Sequence, residues 1–259
     1  MSKLALVGGS SAGIGKAVAE GLLREGFDVI LTARGAERLG AAEALLKKNY
    51  PDRKVYAFAS DYSSSKSVEA LILSVNKGPG APDILVLNTG GPKAGTFDEI
   101  VLEDWENAFQ QQFKSSLMLL KAFLPAMRKK KWGRVINISS TIAVEPTVGM
   151  ILSAGYRAML INALKCTAHL VGKDGVTVNT VCPGAVLTDR LLSLFKEQAK
   201  NSGKTEKEIL EAAAKTIPLQ RIASPEEFAH LAVCLASEEA SFISGTVIPV
   251  DGGMVRKSS

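Results

Sequence analysis

A chain of 259 residues, 46% of them hydrophobic, is long enough to bury a large core as one α/β domain. Its net charge of +5 comes from mixed-sign stretches. The one dense basic run, Arg128–Lys131, falls at an expected helix end, where cations favour the dipole, so no nucleic-acid partner is expected. No apolar run reaches the ~18 residues of a membrane span, and no basic leader precedes the first apolar run. Cys166, Cys182 and Cys234 are scattered and odd in number, which fits a reducing compartment. The only histidines, His169 and His230, stand far apart, so no metal site is expected. A cytoplasmic protein without membrane contact is the resulting expectation.

The first β-rich run is Leu4–Val7. It is followed by Gly8-Gly9-Ser10-Ser11-Ala12-Gly13-Ile14-Gly15 and then by a helical pattern over 13–25. Glycines at this spacing allow a tight turn, close backbone approach to a phosphate and helix–strand packing. Amides at the helix start then face the anion. Gly9, Ser10, Ser11, Gly13, Ile14 and Gly15 are therefore candidate dinucleotide contacts.

The second strand, Asp28–Ala33, ends in Arg34, where NAD-selective sites of this type usually carry a carboxylate. A planar guanidinium suits a 2′-phosphate instead, so NADP(H) is expected in preference to NAD(H). After a helix over 35–49 the third strand, Lys54–Ala59, leads to Asp61, placed to meet the adenine amino group, and Tyr62. A helix over 65–75 precedes the fourth strand, Ile84–Asn88. One long helix is expected over 103–130, then strand Arg134–Ser139, helix 150–172, strand Val176–Val181, helix 225–237 and strand Val247–Val250. Ser224-Pro225-Glu226-Glu227 reads as a capping box with proline in the first helical position.

The strand runs are apolar on both faces, as buried parallel strands are. Their alternation with helices predicts a doubly wound Rossmann-type fold, a seven-stranded parallel sheet with helices on both faces and a single domain spanning 1–259. Residues 189–220 break the alternation with two short amphipathic patterns. Placed after a strand's carboxyl end, they predict a lid over the ligand crevice, with Leu191, Leu192, Leu194 and Phe195 hinting at a hydrophobic substrate.

Taken together, these segments resemble the short-chain dehydrogenase/reductase family, in its 3-oxoacyl-acyl-carrier-protein reductase-like branch, over nearly the whole chain. The glycine turn is similar to the family's T-G-x-x-x-G-x-G, with Gly8 in place of Thr. Asn88-Thr89-Gly90 is similar to the end of its N-N-A-G, and Asn137-Ile138-Ser139-Ser140 to its N-I-S-S, whose second serine is catalytic. Pro183-Gly184-Ala185-Val186-Leu187-Thr188 matches P-G-x-x-x-T, which implies that Pro183, Gly184, Val186 and Thr188 surround the nicotinamide. Ser244-Gly245 and Val250-Asp251-Gly252-Gly253 match the terminal strand. The resemblance also implies a homotetramer, in keeping with the apolar surface of helices 103–130 and 150–172.

The catalytic set departs from the pattern. The family's Tyr-x-x-x-Lys falls on Ser153 and Arg157, thirteen residues beyond Ser140, and its active-site Asn falls on Gln112. Asn88-Thr89-Gly90-Gly91-Pro92 together with Ser153 and Arg157 resembles a subgroup carrying this Ser/Arg replacement. A serine alcohol is a far weaker acid than a phenol beside an ammonium, and Arg stays protonated. Both can still hydrogen-bond an oxyanion, and Arg157 can anchor ribose hydroxyls. Tyr156 lies three residues past Ser153, some 60° round the helix, and is either a displaced acid or a packing residue. Gln112, on the apolar stripe that starts at Trp105, has either a structural or a site role.

Two functions follow. One is an NADP(H)-dependent oxidoreductase acting on a small carbonyl or alcohol, free or linked to an acyl carrier, with a modified catalytic set. The other is an NADP(H)-binding sensor with little or no turnover.

Overall fold

Strands that are apolar on both faces must be covered on both sides. In the computed structural model, which describes residues 2–256, this is achieved by helices flanking one sheet. Strands β1 (Leu4–Gly8), β2 (Asp28–Ala33), β3 (Val55–Ala59), β4 (Ile84–Leu87), β5 (Gly133–Ile138), β6 (Val176–Pro183) and β7 (Val247–Val250) pair in parallel in the order β3-β2-β1-β4-β5-β6-β7. Helices α1 (Gly13–Arg24) and α2 (Ala36–Asn49) lie on one face with α9 (Pro225–Ala236); α3 (Ser65–Lys77), α5 (Ser115–Lys130) and α6 (Ile151–Val171) lie on the other. The pleat sends Ala5 and Val7 into the first core, with Leu22, Leu46 and Phe228. It sends Leu6 into the second, with Leu71, Phe123 and Leu164. The strand order reverses at β1, between β2 and β4, which opens a crevice at the carboxyl ends.

The expected single helix over 103–130 is three pieces: α4 (Leu102–Ala108), a π-helical segment Phe109–Lys114, and α5. Side chains compete for the ladder here. Ser115 Oγ donates to the Gln111 carbonyl (2.7 Å), and the Gln112 amide donates across to the Gly90 carbonyl on the β4 loop. A widened turn of this kind often marks a functional site. Its signal is a long-range partner, which helical periodicity does not carry.

Residues 189–220 form α7 (Asp189–Ser202) and α8 (Glu206–Lys215). Gly203, at φ +69°, ends α7 in the left-handed conformation that glycine adopts without cost. Helix α9 starts as expected: Ser224 Oγ accepts from Glu227 N (3.2 Å) and Glu227 Oε2 from Ser224 N (2.9 Å). The basic run is ion-paired, Arg128 and Lys131 with Asp174 and Lys130 with Asp83. Among the described residues no helix is long and apolar enough to cross a membrane.

Candidate active site

A cleft of about 410 Å3 runs along the carboxyl ends of the strands. At its centre lies the glycine turn. Gly9 (φ +59°) and Gly13 (φ +53°) take left-handed backbone, and a Cβ on Gly15 would stand 2.3 Å from the Gly9 carbonyl. No side chain caps α1, whose preceding residue is Ala12, so its first amides are left for an outside anion. Gly9, Gly13, Ile14 and Gly15 all line the cleft.

Ser10 does not. Its amide donates to the Thr32 carbonyl (3.1 Å), its hydroxyl donates to the Val7 carbonyl (2.8 Å) and accepts from Thr32 N (2.9 Å). These bonds extend the β1–β2 pairing past Gly8 and leave Ser10 no free donor for a ligand. Ser11 is half-buried beside the turn, off the cleft wall. Asn88 lines the cleft and ties β4 to the turn, donating to the Gly8 carbonyl (2.9 Å); Thr89 and Gly90 continue that wall.

At the end of β2, Arg34 is exposed. Arg38, one helical turn on, lines the cleft and pairs across it with Asp189 of the lid. The sequence reading missed Arg38, which stands in the first turn of α2 just after the β2 end that carries Arg34. Asp61 folds onto its own loop, accepting from Ser63 N (3.0 Å) and Ser63 Oγ (2.8 Å). The ring of Tyr62 is buried in the second core, and that burial pushes its phenol far up. Only its backbone is left for a ligand.

At the other end of the cleft Ser140, Ser153 and Arg157 come together as their spacing implied. Arg157 Nε donates to Ser153 Oγ (3.1 Å), and Nη1 donates to the carbonyls of Ile138 (3.0 Å) and Ser139 (3.0 Å) at the end of β5. A guanidinium only donates. The Ser153 oxygen is thus held as acceptor, and its own O–H is free to point elsewhere. Ser140 Oγ likewise accepts, from Ile142 N (3.3 Å), which frees its O–H. Arg157 is largely enclosed and, among the described residues, has no carboxylate partner. Burial pushes it down to about 10, still protonated at neutral pH. Nearby Cys182 is fully buried, and burial raises its thiol to about 11, so it stays neutral there.

Behind this group lies an internal cavity of about 10 Å3, lined by Gln112, Ser139, Asn137 and Arg157. Gln112 Oε1 and Ser139 Oγ are buried without partners. Gln112 therefore reaches Arg157 and Ser139 from behind, while its amide holds the β4 loop through Gly90. Tyr156 lies elsewhere. Its ring packs edge-on against Trp105 (5.9 Å between centroids) and beside Phe109 (6.0 Å), off the cleft walls. The 60° that separates it from Ser153 on α6 turns it toward α4, where desolvation raises its phenol.

Pro183, Gly184, Val186 and Thr188 line the cleft, and Thr188 also caps α7 by accepting from Leu191 N (3.3 Å). Of the four apolar lid residues, Leu191 and Leu194 face the cleft. Phe195 is used inside the lid, against Ala199 and Ile209, and Leu192 is exposed. Periodicity located the apolar stripe of α7 but did not reveal that α8 covers part of it.

A family model described as enoyl-(acyl carrier protein) reductase matches residues 9–255. The NADPH-dependent reductase BacG of Bacillus subtilis is 32% identical over 257 residues, covering 99% of each chain. The 3-oxoacyl-[acyl-carrier-protein] reductase FabG of Aquifex aeolicus is 33% identical over 97% of each. Among solved structures, an NADPH-bound short chain oxidoreductase from Pseudomonas aeruginosa PAO1, described as containing an atypical catalytic center, is 30% identical, covers 99% of this chain and 98% of that one, and has a TM-score of 0.86. Sheet order, glycine turn and these full-length matches agree: the chain belongs to the short-chain dehydrogenase/reductase family of oxidoreductases, in its 3-oxoacyl-acyl-carrier-protein reductase-like branch.

Proposed function

We propose that this protein is an NADP(H)-dependent carbonyl reductase, or alcohol dehydrogenase in reverse, working with a modified catalytic set. The observation that carries the reading is the Arg157 Nε–Ser153 Oγ hydrogen bond. NADP(H), when bound, supplies or accepts the hydride. The uncapped start of α1 and the glycine turn hold its phosphates, with Asn88, Thr89 and Gly90 beside them. Arg34 and Arg38 hold the 2′-phosphate, and Pro183, Gly184, Val186 and Thr188 flank the nicotinamide. Asp61 and the Tyr62 backbone sit at the adenine end, and Arg157 reaches the ribose hydroxyls.

Ser140 and Ser153 then present two O–H donors to the substrate carbonyl oxygen, and the Arg157 cation strengthens the second. Neither Ser153 nor Arg157 releases a proton near neutral pH. Their part is to stabilise negative charge on oxygen, and the proton that completes the alcohol comes from water. The relatives named NADPH-dependent or solved with NADPH support the cofactor and an oxidoreductase.

The test is loss of NADPH absorbance with a broad carbonyl panel, free and acyl-carrier-linked. Slow turnover is expected. Tight NADPH binding without turnover on any member would replace this reading with that of an NADP(H)-binding sensor. The same proposal includes a single domain with a lid and a homotetramer. Leu102 (82% exposed) and Phe109 lie with Tyr156 around one surface groove, and Met159 and Phe242 (103%) are also exposed. Exposed apolar groups of this kind mark subunit contacts. A monomer at micromolar concentration in analytical ultracentrifugation would refute the assembly.

A further inference from the structure

Resting on that reading, we infer that Arg190 makes this enzyme selective for carbonyl substrates that also carry a carboxylate. Arg190 is the second residue of α7 and reaches across the cleft to the β4 loop, where its Nη2 donates to the Pro92 carbonyl (3.0 Å). Its plane lies against Gly91. A Cβ there would stand 3.3 Å from Nε and 3.4 Å from Nη2, so the glycine makes the approach possible. The contact fixes the guanidinium and uses one of its five donors.

Its charge is left unmatched. The neighbouring carboxylate, Asp189, is taken by Arg38. On the β4 loop side, Asp104 is taken by Lys93 (2.7 Å), and Glu99 accepts from Thr96 N (2.8 Å) and Thr96 Oγ1 (3.0 Å). Among the described residues Arg190 makes no ion pair. The loop it grips leads to Gly95, which bridges Met150, the residue before α6. Met150, Ser140 and Ser153 line the same cleft as Arg190, Leu191 and Leu194. A held cation, two hydroxyls and the apolar Leu191 and Leu194 lining one cleft match an oxo acid: carbonyl at the serines, chain against the leucines, carboxylate at Arg190. A held guanidinium meets a carboxylate with two parallel hydrogen bonds.

The anion could also be the cofactor's diphosphate, and the experiment separates the two. Steady-state kinetics would compare 2-oxobutanoate, 3-oxobutanoate and 4-oxopentanoate with their methyl esters, in wild type, Arg190→Gln and Arg190→Lys, with NADPH affinity measured by fluorescence titration. Glutamine keeps a donor for Pro92; lysine keeps the charge. The expected result is an acid-over-ester preference in kcat/KM of about ten- to hundredfold for at least one acid. Arg190→Gln should abolish it, Arg190→Lys should restore part of it, and NADPH affinity should change less than twofold. No acid-over-ester preference in wild type would overturn the inference. So would a tenfold loss of NADPH affinity in Arg190→Gln with acid and ester falling together, which would assign Arg190 to the diphosphate. Where no carbonyl is reduced, the function above fails, and calorimetry of the acids on the NADPH complex decides Arg190 separately. Acid binding lost in Arg190→Gln supports the site, and its absence in wild type overturns it.

Discussion

The two ends of the sheet differ in how far they neutralise positive charge. At the amino ends of the strands every cation discussed has a carboxylate. Lys3 and Arg134 stack on Trp132, 4.2 and 4.4 Å from its ring, and both pair with Glu238 (2.7 and 3.5 Å), which also accepts from the Trp132 indole (3.1 Å). Arg128 and Lys131 share Asp174, and Lys130 holds Asp83. At the carboxyl ends Arg38 has Asp189, but among the described residues Arg157 and Arg190 make no ion pair, and Gln112 and Ser139 keep buried atoms unpaired. The first arrangement serves folding. The second leaves donors and charge for a ligand, as sites that give up stability for function do.

Ways to break this contrast differ in size. Ser140→Ala should lower turnover about 10²–10³-fold, the cost of one oxyanion donor, with an unchanged melting temperature; equal losses of both would make Ser140 structural. Ser153→Tyr with Arg157→Lys should raise turnover about 10²-fold, since a phenol beside an ammonium is the better acid. It should lower the melting temperature, because lysine cannot serve the two carbonyls and the side chain on α6 together. Arg34→Ala and Arg38→Ala should each weaken NADPH binding about ten- to hundredfold and leave NADH unchanged in calorimetry. At the other end, Trp132→Ala should cost about 2–3 kcal/mol in denaturant unfolding, below the range for a fully buried ring, with NADPH affinity intact. The smallest effect is pH-dependent. Lys131 and Arg128 hold the Asp174 carboxyl down to about 2. This stability is full above about pH 4, the unfolded range, and is lost as pH falls toward 2. Asp174→Asn should flatten the melting profile in that window only.

The sheet and the outline of the cleft were legible in the sequence; the carboxylate pairing at the amino ends was not. Strands apolar on both faces announce themselves, and fixed spacing from Ser140 and Pro183 brought Ser153 and Arg157 to the cleft. What stayed hidden depended on neighbours distant in sequence. Ser10 is used up by Thr32 of β2, Tyr62 by the second core, Phe195 by α8 and Tyr156 by Trp105. The π turn around Gln112 depends on the β4 loop. Periodicity fixes a residue's angle on its own helix, not what covers that angle.

The Lys3–Trp132–Glu238 clasp has a kinetic consequence. Lys3 and Glu238 are 235 residues apart, so their contact closes nearly the whole chain into one loop. The entropy of closure grows only logarithmically, about 0.6 kcal/mol per doubling of length, but contacts of such separation form late. We therefore expect the clasp to be absent from the folding transition state, which folding and unfolding rates of Lys3→Ala would check. Loosening it should leave the folding rate unchanged and speed unfolding, so its role is to set how long a finished molecule stays folded.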